Sequence, residues 1–178
     1  MLIYDLLKKD HETVKGLLAQ LVNLSDADKA ARDSIISQIR DELIPHARAE
    51  EAVLYNSMRA IDMAKDLAWH GYEEHAEAEA LLRTLQGMEM VNADWHETAK
   101  KLKEAVEHHI QEEEGKIFSA ARQLFIDEEA EAMGEAFEKM KPEVKEGGFV
   151  QNTLDMIANM MPTRLAAPLR EFRHNPQA

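Results

Sequence analysis

The chain has 178 residues, no cysteine, and a formal net charge of −13. Without thiols it has no disulfide, iron–sulfur cluster or thiolate zinc site. Its acidity argues against a nucleic-acid partner, whose phosphates need a basic footprint, and gives no reason for attraction to an anionic membrane. Hydrophobic residues make up 45% and charged residues 31%, which suits a globular chain rather than a disordered one. No apolar run is long enough to span a bilayer. The start, Met1-Leu2-Ile3-Tyr4-Asp5, lacks the basic-then-apolar order of a signal peptide, so a cytoplasmic location is expected.

Four long segments repeat apolar residues at helical spacing. The first covers roughly residues 2–22, with Ile3, Leu7, Val14, Leu18 and Leu21 on one stripe. Ser25 and Asp28 then read as a capping box. The second runs to about residue 61, with Ile36, Ile39, Leu43 and Val53 on its stripe and Pro45 expected to kink it. Asp62 is the expected N-cap of the third, whose stripe holds Ala68, Gly71, Ala78, Leu82 and Leu85, and Gly87 its end. Asn92 is placed to cap the fourth, with Leu102, Val106, Ile117, Ala120 and Leu124 inside.

Short connections make successive helices antiparallel. The expected fold is all-α, an up-down-up-down four-helix bundle over 1–125. Residues 126–178 are read as a C-terminal helical extension and tail, or a surface for a partner. A charged helix is expected over 127–140, and a short amphipathic one around Leu154, Ile157, Met160 and Met161.

Polar residues interrupt the apolar faces in a pattern. His11 falls on the first stripe, His46 and Glu50 on the second, His75 on the third with Glu79 at its edge, and His109 and Glu113 on the fourth. Most lie near mid-helix, so an up-down bundle brings them to one level. Burying three carboxylates there without compensation is very costly. Metal cations compensate, and seven donors suit two ions that share bridging carboxylates. Histidine with carboxylate favours iron or manganese, with zinc also possible.

Chance gives about one His-x-x-x-Glu pair in a chain of this composition. Five are present: His46/Glu50, His70/Glu74, His75/Glu79, His108/Glu112 and His109/Glu113. Those at His70 and His108 point off the core stripe and read, with His96, as surface residues. His174 lies in the tail. Glu51 and Glu114 read as exposed or ion-paired neighbours of the ligands, and Glu74 competes with Glu79 on the third helix. Tyr72 reads as packing. Gly71 and Gly115 lack side chains near the polar level and are candidates for a small-ligand path.

The stretches His46-Ala-Arg-Ala-Glu50-Glu51-Ala-Val-Leu-Tyr55 and His109-Ile-Gln-Glu-Glu113-Glu114-Gly-Lys-Ile-Phe118 resemble the two H-x-x-x-E-E-x-x-[LI]-[YF] motifs of the hemerythrin-like HHE family. Asp10-His11-Glu12 and Glu74-His75 resemble its first- and third-helix histidines, so the likeness covers about 1–125. The resemblance implies two iron ions with an oxo or hydroxo bridge. It implies that Glu50 and Glu113 bridge them, that His11 and His46 bind one, and that His75 and His109 bind the other. Oxygen-carrying hemerythrins have a fifth histidine where this chain has Glu79. An anionic ligand there favours the ferric state and turns the expectation away from reversible oxygen carriage.

The function expected is sensing, detoxification or iron and oxygen handling through a small ligand, namely oxygen, peroxide or nitric oxide. The alternative is a metal-stabilised regulatory module that binds a partner through 126–178. The ferritin-like pattern of paired Glu-x-x-His helices and the His-Glu-x-x-His protease motif are both absent.

Overall fold

The computed structural model describes residues 1–25, 29–88 and 92–145. Its secondary structure is helical throughout. Helix α1 is Ile3–Val22. Helix α2 begins as Lys29–Glu50, widens into a π turn at Glu51–Tyr55 and finishes as Asn56–Arg59. A 3-10 turn at Asp62–Ala64 leads into α3, Lys65–Gly87. Helix α4 repeats the construction of α2: Ala93–Glu112, a π turn at Glu113–Ile117, then Phe118–Leu124. Helix α5 is Asp127–Lys145.

The stripes read from the sequence face inward. Ile3, Leu7, Val14, Leu18 and Leu21 of α1 are all buried, as are Ile36, Ile39, Leu43 and Val53 of α2. Ala120 and Leu124 of α4 are only partly buried. Asn92 caps α4, its side chain accepting the Trp95 N–H at 2.9 Å. Asp62 does not cap α3. It opens the 3-10 turn, which tucks Ala64 into the core, and α3 starts behind Ala64 without a side-chain cap. Pro45 lies inside α2 and does not end it. The capping box of Ser25 and Asp28 depends on a residue outside the described ones. So do the apolar residues from Leu154 to Met161.

Helices α1 to α4 pack in a ring, each against its sequence neighbours, with α1 also against α4. The apolar core separates into two clusters. One gathers Ile3, Leu7, Val53, Leu54, Met58 and Phe118, and the other Leu18, Ile39, Leu82, Trp95, Leu102 and Val106. Between them lies the level of the histidines and buried glutamates.

Helix α5 lies against α1 and α2 and buries Ala130, Met133, Ala136, Phe137 and Met140 in the first cluster. It covers the outer side of α2's π turn, which is why Ala52 to Met58 are buried without a break. A helix in an uncovered bundle would bury only one stripe. Gly134 allows the approach: a Cβ there would meet the Met1 carbonyl, and the Leu6 side chain at 3.2 Å. Among the described residues no helix is long and apolar enough to cross a membrane.

Gly134→Val should therefore push α5 off the start of α1. The expected cost is about 1–3 kcal/mol, the usual range for overpacking, and urea denaturation measures it. Unchanged stability would mean that the contact is not a tight one.

Candidate metal centre

Six of the seven residues singled out from the sequence meet in the layer between the core clusters. His11, His46, Glu50, His75, His109 and Glu113 are all buried. They form two triads of donor atoms: His11, His46 and Glu113, and Glu50, His75 and His109. Within each triad the donors lie within 4.8 Å of one another.

The triads are joined through their carboxylates. Glu113 Oε2 is 3.0 Å from His11 Nε2 and 3.7 Å from His109 Nε2. Glu50 Oε2 is 3.5 Å from His46 Nε2 and 3.4 Å from His75 Nε2. Each glutamate thus faces one histidine of either triad.

The other ring nitrogen of every histidine is held by a carboxylate, and these four contacts close a circle. Asp10 of α1 accepts from His46 Nδ1 of α2 at 3.2 Å. Glu51 of α2 accepts from His75 Nδ1 of α3 at 3.0 Å. Glu74 of α3 accepts from His109 Nδ1 of α4 at 2.9 Å. Glu114 of α4 accepts from His11 Nδ1 of α1 at 2.9 Å. A carboxylate acceptor places the proton on Nδ1 and leaves the Nε2 lone pair facing the layer.

The sequence reading missed this circle, although its signal was present. Each outer carboxylate stands next to an inner residue, in Asp10-His11, Glu50-Glu51, Glu74-His75 and Glu113-Glu114. One step along a helix turns the side chain by about 100°, so one member faces the centre and the other the next helix.

Inside the circle, polar atoms lack partners. His11 Nε2 and all four oxygens of Glu50 and Glu113 are buried without a hydrogen bond. His75 Nε2 and His109 Nε2 approach to 3.1 Å. With both Nδ1 atoms protonated, two lone pairs face each other there, which requires a proton or a cation between them. Burial, and then the neighbouring Glu113, hold the Glu50 carboxyl well above the ordinary range. Burial would raise Glu113 too, but its neighbours Glu50 and His11 hold it low instead. Burial also pushes His46 down to about 4, which keeps it neutral as a ligand must be. Inward-facing ring nitrogens, two buried carboxyl groups and orphaned oxygens fit a divalent or trivalent cation at each triad.

Residues 2–121 match the hemerythrin HHE cation binding domain. The chain belongs to the hemerythrin HHE family. It is 27% identical over 146 residues to a protein of Nostoc sp. (strain PCC 7120) named DNA nickase, an alignment covering 82% of this chain and 41% of that one. It therefore spans less than half the length of that relative. It is 26% identical over 141 residues to an uncharacterized hemerythrin-like protein of Schizosaccharomyces pombe, covering 78% of this chain and 68% of the other. The crystal structure of a hemerythrin HHE cation binding domain-containing protein from Mycobacterium kansasii has the same fold, with a TM-score of 0.72 at 21% identity. That likeness covers 94% of this chain and 99% of the other.

In this HHE domain Glu79 stands apart from the triads. Its carboxylate accepts from Arg48 at 2.6 Å and also pairs with Arg83. The guanidinium of Arg48 reaches across from α2 and draws Glu79 to the rim, so its charge is neutralised there rather than at the histidines. Tyr72 bonds neither triad. Its hydroxyl is shared between the Glu51 carbonyl at 3.1 Å and Asn56 Oδ1 at 2.9 Å.

The two glycines do not open a path. The space beside Gly71 is filled by the Tyr55 ring, which a Cβ would meet at 2.5 Å, and Gly115 faces open space at the surface. Tyr55 in turn stacks on His75 with ring centroids 5.5 Å apart. The open space lies on the other side of the histidines. A cavity of about 20 Å³ is lined there by the four imidazoles, by apolar side chains including Val14, Leu43 and Ala78, and by Arg48 and Glu79.

Helix α5, beyond the family match, completes the surroundings of His46. Lys141 Nζ donates to Asp10 Oδ2 at 2.8 Å, the same oxygen that holds His46 Nδ1, and to Glu42 at 3.1 Å. The Phe137 ring meets the His46 ring edge-on at 5.8 Å. Lys141→Met should lower metal affinity by about tenfold, the low end for an outer partner of a ligand, and Lys141→Arg should restore it. Chelator competition measures both, and wild-type affinity in the Met variant would show that Lys141 does not position Asp10.

Metal binding should also compete with protons at Glu50. That carboxyl is raised, so affinity should fall as pH drops and rise until Glu50 ionises unaided. Calorimetry in buffers of different ionisation enthalpy should show proton release on metal binding. Uptake without proton release would contradict the raised Glu50 carboxyl.

Proposed function

We propose that this HHE domain holds two iron ions and binds a small ligand, oxygen, peroxide or nitric oxide, in the cavity beside its histidines. His11, His46 and Glu113 would hold one ion, and Glu50, His75 and His109 the other. Glu50 and Glu113 are the candidate bridges, since each faces a histidine of both triads. The observation that carries the reading is the cavity. At about 20 Å³ it has room for a molecule the size of water or a diatomic gas, and it lies against all four imidazoles. A reduced iron pair bound there would supply two electrons to such a ligand.

The chain's own groups do the rest. The outer carboxylates fix the ring planes and keep protons on Nδ1. The apolar walls on both sides keep bulk water from the layer. Position 79 offers an arginine-bound carboxylate in place of a fifth imidazole, which supports ligand handling over reversible oxygen carriage. The charge of −13 supports a reading without nucleic acid, so the activity named for the Nostoc relative is not proposed for this chain.

A second reading, metal-dependent binding of a partner, is favoured by one observation: α5 touches the centre through Lys141 and Phe137. Metal occupancy would then be read out as the docking of α5.

Anaerobic reconstitution with ferrous iron tests the first reading. Two irons per chain and new charge-transfer absorption on exposure to air are expected, with both reduced in Glu113→Gln. Well under two irons per chain would sink it. Negligible peroxide turnover, together with proteolysis of α5 that depends on iron, would favour the second reading.

A further inference from the structure

The ring of His75, a donor of the buried layer, begins a line of aromatic side chains that reaches the surface. Tyr55 stacks on His75 with ring centroids 5.5 Å apart. Tyr72 meets Tyr55 edge-on at 5.6 Å, and Trp69 meets Tyr72 at 5.6 Å. Each spacing lies in the range of direct ring contact. Tyr55 is fully buried, Tyr72 is partly buried, and Trp69 is 41% exposed. The line thus joins the layer to solvent without an aliphatic gap.

Each ring is held in place. Gly71 leaves room for Tyr55, the Tyr72 hydroxyl is tied to the Glu51 carbonyl and Asn56 Oδ1, and the Arg59 guanidinium lies over the Trp69 ring at 5.5 Å. Packing alone does not account for Tyr55. Its hydroxyl is buried without a hydrogen bond, which is unfavourable. The matching position of the second motif holds Phe118, which is buried without that cost. A phenol adds to a phenyl ring an accessible one-electron oxidation, a property shared with the indole of Trp69. On the other side of the layer the rings lead nowhere. Phe118 stacks on His11 at 6.5 Å and Tyr4 meets Phe118 at 5.3 Å, but Tyr4 is buried.

We propose that Trp69, Tyr72 and Tyr55 conduct single electrons from a one-electron redox protein at the surface to the buried centre. This role rests on iron occupancy of the layer. A protein reductant cannot enter a cavity of about 20 Å³, so its electrons need a route through the chain. In each transfer the reductant loses one electron, and one ferric ion gains it and becomes ferrous. The rings end as they began, with no bond made or broken in them. Two transfers restore the reduced pair after peroxide has taken two electrons and two protons to give two waters.

The full chain, loaded with ferrous iron and oxidised by air, tests the conduit in two ways. The variants are Trp69→Leu, Trp69→Tyr and Tyr55→Phe, the last keeping the ring against His75 and losing only the hydroxyl. Iron is counted in each. Reduction by reduced flavodoxin, followed by stopped-flow absorption, should slow in Trp69→Leu and Tyr55→Phe by about tenfold or more, the effect of a modest rise in a kinetic barrier. Trp69→Tyr should restore the rate. The second measurement is ultraviolet excitation of the indole without oxygen. Excited Trp69 then gives its electron to a ferric ion and its N–H proton to water, leaving an indolyl radical seen by electron paramagnetic resonance. The radical should exceed that of the iron-free chain, vanish in Trp69→Leu, and be mostly lost in Tyr55→Phe, where Trp69 is still present. A wild-type rate or radical yield in Tyr55→Phe with its iron intact would overturn the conduit. Well under two irons per chain in wild type would instead overturn the iron reading, and the conduit with it.

Discussion

Glu50 and Glu113 lie side by side with no solvent exposure, in the middle of a helical core, and the rest of the molecule is organised around that fact. Two carboxylates in such a place are tolerated only with compensating positive charge or a shared proton. Four imidazoles surround them, each with its Nε2 turned inward. The apolar core divides into two clusters so that this layer can exist between them. Both long motif helices widen into π turns at this level, one beginning just after Glu50 and the other at Glu113 itself. Such widened turns recur where a helix must re-aim a side chain for function.

The layer is held from outside by a circle of carboxylates, in which every helix of the bundle supports the histidine of the next. This arrangement makes the centre cooperative. Moving one helix displaces both its own donor and its neighbour's support, so a packing change anywhere in the ring reaches the site. Most of the outer carboxylates are in turn approached by a base: Asp10 by Lys141, Glu51 by Arg48, and Glu74 by His70 and His108.

Helix α5 changes how the bundle is understood. It covers the π turn of α2, packs on the start of α1 through Gly134, and contributes Lys141 to the oxygen that holds His46. A four-helix scheme accounts for the donors but not for this contact. The histidine that α5 supports belongs to one triad only, so the two triads differ in their surroundings although their donors are alike.

Much of this was legible in the sequence, because helical periodicity and i, i+4 spacing are local properties. The stripes, the four-helix bundle, the cap at Asn92 and the inward level of His11, His46, Glu50, His75, His109 and Glu113 all follow from spacing alone. Position 79 shows the limit. Its spacing from His75 is that of a ligand, yet Arg48 on another helix takes its charge, and no local pattern announces that pairing. The same holds for Gly71, whose vacancy is filled by Tyr55, and for Asp62, which a 3-10 turn removes from the helix start. The sequence by itself determined which residues share a helix face. Only the tertiary structure decided which carboxylate meets which histidine, because those contacts join residues 24 to 103 positions apart and depend on how neighbouring helices are rotated against each other.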